Sequence, residues 1–97
     1  MKYIVSWANR NQTPDDSKKL LAAFAAWKPA ASNILQFVSR VDNGGGLSIV
    51  ETDDPANLLR DTSKFSAWLE FTIYPVIDVQ DAVPVFNEAL EFLDGVG

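Results

Sequence analysis

The chain has 97 residues and a mass of 10.7 kDa, room for one domain spanning residues 1–97 at the usual ~100–200 residues per domain. With 47% hydrophobic and 22% charged residues it is globular in composition, and 13 acidic against eight basic residues (net charge −5, pI near 4.4) argue against nucleic acid or an anionic membrane as partner. The absence of Cys excludes disulfides, thiol nucleophiles and zinc–thiolate sites; the absence of His excludes imidazole acid–base chemistry and every Ser-His-Asp arrangement.

Lys2 to Ala8 alternates Tyr3, Val5, Trp7 with Ile4, Ser6, Ala8 and is rich in β-formers, which predicts a first strand. Asn9-Arg10-Asn11-Gln12 is a polar loop. Thr13 then reads as a helix cap, with Pro14 at the first helical position and Asp15 and Asp16 complementing the helix dipole. Leu20, Leu21, Phe24 and Trp27 form its apolar stripe, and Pro29 ends it. Ile34 to Asp42 alternates again, with Leu35, Phe37, Val41 on one side and Ile34, Gln36, Val38, Arg40 on the other. Asn43-Gly44 predicts a hairpin turn, with positive φ at Gly44 or Gly45, before a short strand from Leu47 to Glu51.

Asp53-Asp54-Pro55 opens a second helix through Leu58 and Leu59, with Asp54 as its cap. Trp68 to Asp78 predicts a fourth strand. Asp81 is expected to cap a last helix with Pro84 in its first turn, a stripe of Val83, Phe86, Leu90 and Leu93, and Gly95 at its end. The order β-α-β-β-α-β plus a C-terminal helix predicts an α+β, ferredoxin-like antiparallel sheet of strand order 4-1-3-2. Pro75 supports this, because proline inside a strand is tolerated at a sheet edge and the fourth strand lies on one.

Helices cover one face of such a sheet and leave the other open. Three strands carry a mixed set beside a purer apolar one: Ile34, Gln36, Val38, Arg40; Ser48, Val50; and Trp68, Glu70, Thr72, Tyr74, Val76. Either side of the first strand could meet the helices. So many large apolar groups among polar ones suggest a covered face, and for so short a chain the simplest cover is a second copy.

Asn43-Gly44-Gly45-Gly46, Ile49-Val50-Glu51, Asp53-Asp54-Pro55 and Phe71-Thr72-Ile73-Tyr74-Pro75-Val76 together resemble the uncharacterised family called domain of unknown function 3303, from Tyr3 to about Phe92. That family looks like a member of the dimeric α+β barrel superfamily, in which two ferredoxin-like sheets close face to face. The resemblance implies a homodimer. It does not imply one activity, because the superfamily holds cofactor-independent quinol oxygenases, haem-degrading oxygenases, muconolactone isomerases and proteins without known activity.

The candidate pocket residues are Trp7, Asn9, Arg40, Trp68, Glu70 and Tyr74. The haem-degrading oxygenases use an Asn on the first strand, a Trp and a His; Asn9 and Trp68 are similar in type and placement, but the missing His excludes imidazole ligation of haem. A cofactor-free oxygenase or isomerase needs an apolar pocket and a proton acceptor, a role Tyr74 or desolvated Glu70 could fill. The plainer reading makes the aromatics barrel lining and Asn9 a turn residue. Arg40 could receive a ligand carboxylate or meet Glu70 across a dimer axis; within one sheet the two lie roughly 14 Å apart. The Asp pairs at 15–16 and 53–54 start helices and match no calcium loop, and the triple glycine joins strands, unlike a phosphate loop. No metal and no cofactor is expected.

The expected function is binding of a small apolar or aromatic molecule between the two sheets of a homodimer. The alternatives are a cofactor-independent oxygenase or isomerase, and a structural or regulatory dimer without a ligand. No stretch reaches the ~18–20 apolar residues of a membrane span, and the N-terminus lacks the h-region of a signal peptide, so a cytoplasmic location is expected.

Overall fold

A computed structural model describes residues 1–10, 12–30 and 33–97. In chain order the elements are β1 (Lys2–Asn9), α1 (Pro14–Ala26), β2 (Asn33–Ser39), β3 (Gly45–Glu51), α2 (Ala56–Thr62), β4 (Leu69–Val76) and α3 (Val79–Val96). The four strands form one antiparallel sheet in the order β2-β3-β1-β4, which is 4-1-3-2 read from the other edge. This is the ferredoxin-like arrangement, and Pro75 lies in the edge strand β4.

Capping follows the sequence at α1. The Thr13 hydroxyl accepts the Asp16 amide and the Asp16 carboxylate accepts the Thr13 amide, with Pro14 at the first helical position. At α2 the Asp54 carboxylate accepts the Ala56 amide at 3.0 Å. Buried Thr52 ties this junction to the end of β3, its hydroxyl accepting from the Asp54 amide and from Asn57 Nδ2. Of the polar loop after β1, Asn11 lies outside the described residues.

The register resolves the faces. Tyr3 lies opposite Val50 and Pro75, Val5 opposite Ser48 and Ile73, Trp7 opposite Gly46 and Phe71, and Asn9 opposite Leu69. These rows face the helices, because Leu58 of α2 packs with Tyr3, Val5 and Val50. The β4 assignment holds, with Leu69, Phe71 and Ile73 inward. The β3 assignment is corrected: Ser48 and Val50 turn toward the helices, and Leu47 and Ile49 lie on the open face. In β2 a bulge between Ile34 and Gln36 breaks the alternation, so Ile34 and Phe37 both face the helices.

Three boundaries also differ from expectation. The β2–β3 connection runs from Arg40 to Gly44, longer than a two-residue Asn-Gly turn; Asn43 takes φ 61° and Gly45 φ 154°, so of the two glycines it is Gly45 that is positive. β4 begins at Leu69 and ends at Val76, leaving Trp68 in the preceding turn. α3 starts after Asp78, which places Pro84 inside the helix. The missing proline N–H leaves the Gln80 carbonyl without its helical partner, on the polar side where water reaches it.

α3 takes the fold beyond two layers. It has 18 residues, about 27 Å of helix, and all but Ala82 are exposed. The chain measures 61 × 27 × 19 Å with a radius of gyration of 17.8 Å, against about 12–13 Å for a compact domain of this length. The difference is α3, which projects from the body with its root tied down by a 2.7 Å ion pair between Lys2 and Asp78. No helix among the described residues is long and apolar enough to cross a membrane.

Candidate functional site

Between the sheet and helices α1 and α2 lies a cleft of about 500 Å3. Its floor is made of small or short side chains, Val5, Gly45, Ser48 and Val50, while the walls carry Trp7, Phe24, Trp27, Phe37 and Phe65. Small residues beneath and large rings around hold α1 off the sheet. The rings meet mostly edge to face: Trp7 and Phe37 at 5.3 Å, Phe24 and Phe37 at 5.7 Å, Trp27 and Phe65 at 5.3 Å.

Polar groups sit around the rim and in one wall. Gln12 is held from both ends of its amide, donating to the Trp68 carbonyl at 2.9 Å and accepting from the Ser17 hydroxyl at 3.3 Å. Asp61 is the buried carboxylate of the cleft, 9% exposed. It accepts the Trp27 indole N–H at 3.1 Å and the Ala30 amide at 2.8 Å, with Lys64 Nζ at 4.0 Å. It therefore clamps the end of α1 to α2 and fixes the plane of Trp27.

The six residues singled out from sequence do not share one site. Trp7 and Asn9 line the cleft, and Asn9 also braces the hairpin, its amide N–H donating to the Gly44 carbonyl at 3.0 Å and its side chain to the Asn43 carbonyl. Arg40 lies in the hairpin, ion-paired with Asp42, and with Trp7 borders a shallow depression on another side. The Gly44 amide and the Arg40 guanidinium hold the Asp42 carboxyl below its usual range. Glu70 and Tyr74 lie on the open face, opposite Ala8 and Ile4, and Tyr74 is 53% exposed. Trp68 precedes β4; its carbonyl receives Gln12 and the Arg10 amide, and it lines neither hollow.

Asp61 and Phe65 were not anticipated. Their signal is spacing: Leu58, Asp61 and Phe65 fall at +3 and +4, one face of a helix that runs on as turns, with a carboxylate between two apolar groups. An acid there needs donors.

A four-stranded antiparallel sheet with two helices on one face and an aromatic cleft between the layers defines an α+β domain of ferredoxin-like fold. The chain belongs to a family described as a domain of unknown function (DUF3303), whose model matches residues 1–90. No curated protein matches it.

Proposed function

We propose that the chain is a cytoplasmic homodimer that binds a small apolar or aromatic molecule in the cleft between sheet and helices of each copy. The cleft itself carries this reading: about 500 Å3 lined by six aromatic side chains is the size and chemistry of a small-molecule site. It lies on the opposite side of the sheet from Glu70 and Tyr74, so the ligand site and the dimer contact use different faces. The open face, with Ile4, Val38, Leu47, Ile49 and Tyr74, is where the second copy docks. Binding is favoured over catalysis because Asp61, the buried carboxylate of the cleft, is engaged by two N–H donors.

Titration with 1,4-naphthoquinone, followed by tryptophan fluorescence, tests the reading. Saturable quenching is expected, with affinity lowered about tenfold or more by Trp27→Ala and unchanged by Tyr74→Ala. The opposite pattern, sensitivity at Tyr74 alone, would move the site between the sheets; an absence of saturable quenching would count against a ligand of this class.

A further inference from the structure

We propose that α3 is an exchanged arm, its apolar half lying across the open sheet face of a second copy of this chain. The proposal rests on the homodimer reading and names the element that completes the contact.

At 100° per residue, every apolar side chain of α3 from Val79 to Val96 falls within about half the helix circumference. Gln80, Asp81, Asn87, Glu88, Glu91 and Asp94 occupy the other half, with Pro84 and Gly95. A helix so patterned is built to lie on something, yet its own chain leaves it projecting. The apolar arc is wider than the seam of a two-helix coil, which uses about two positions in seven, and fits a sheet instead.

Charge narrows the choice of partner. α3 carries four of the chain's 13 acidic residues and none of its eight basic ones, so the rest of the chain has a net charge of only −1. Two α3 helices side by side would join four negative charges to four. An anionic membrane surface would repel the same acidic helix. The near-neutral body of a second copy does neither.

Dimensions agree. The strands of the open face have seven or eight residues, about 25 Å, beside a helix of about 27 Å. The nine large apolar residues from Ile77 to Val96 are 46–74% exposed. Covering them removes on the order of 800 Å2 from water, the share one partner gives to a standard-size interface, and two reciprocal arms double it.

The test uses the full chain in light scattering and a cysteine pair in a protein that has no cysteine of its own. The expected mass is twice 10.7 kDa. It should fall to one chain in Leu90→Asp, with far-ultraviolet sheet signal retained, and stay dimeric in the polar-side control Glu88→Ala. Mixed Leu90→Cys and Val38→Cys chains should give a disulfide-linked pair on oxidation. If Leu90→Asp leaves a dimer, or Leu90→Cys links only to itself, the arm is wrong and the homodimer stands. If the unmodified chain is a monomer at every concentration, both fail.

Discussion

At Gly46 an added Cβ would lie 2.3 Å from the Val38 carbonyl oxygen and 2.4 Å from the Trp7 ring, and at Gly45 it would meet the Trp7 carbonyl at 2.0 Å with φ at 154°. Gly46 lets the Trp7 indole lie over β3 and form a cleft wall, and Gly45 lets the β1 backbone approach β3. Backbone cannot yield as a side-chain tip can, so Gly46→Ala should destabilise the fold by about 1–3 kcal/mol in urea denaturation. Gly44, whose neighbours are the flexible ends of Arg40 and Asp42, should accept alanine with a smaller loss. An equal loss at both would show that Trp7 is not seated as described. Asp61→Ala leaves the Trp27 indole and Ala30 amide without this acceptor, which should cost about 1–3 kcal/mol and shift Trp27 emission. Native-like stability and emission in that variant would remove Asp61 as the clamp.

Among the elements, α1 carries the clearest pH dependence. The Thr13 amide and hydroxyl hold the Asp16 carboxyl below its ordinary 3.8. A carboxyl depressed in the folded chain stabilises above its unfolded pKa and loses that contribution as pH falls through the folded value. The start of α1 should therefore fray below about pH 4, seen as faster exchange of the Asp16 and Ser17 amides, and Asp16→Asn should flatten that response. A profile unchanged by the substitution would place the acid sensitivity elsewhere. The same capping box was plain in Thr13-Pro14-Asp15-Asp16, because capping is local chemistry. Strand faces were less legible for a non-local reason. One bulge at β2 makes Ile34 and Phe37 neighbours on a face although their spacing is odd, and Ser48 passes for a solvent residue when it is the low floor of a cleft. Of the candidate site, Trp7 and Asn9 were picked out by residue type and placement, while the alternation of β1 left open which of its sides meets the helices. Asp61 and Phe65 carry the +3 and +4 spacing from Leu58, but α2 is so short, with Phe65 already in the turns beyond it, that the spacing does not stand out.

For the whole molecule, stability is divided unequally between the sheet and the arm. β1 is hydrogen-bonded to β3 and β4 on its two edges and contributes Tyr3 and Val5 to the core, so its amides open only with the whole domain. α3 within one chain has its own backbone bonds, one of them lost to Pro84, and the Lys2–Asp78 pair at its root. Helices of this length in water are close to marginal without packing. If the second copy supplies the packing, as proposed, α3 helicity should follow mass action. On about a hundredfold dilution through dissociation, the helical signal at 222 nm should fall and α3 amides should lose protection, while β1 amides remain slow. The radius of gyration should not shrink toward the 12–13 Å of a compact chain, because an unpacked arm extends as far as a helical one. If α3 stays as protected as β1 at every dilution, its stability comes from within the single chain, and the division of the molecule into body and arm is wrong.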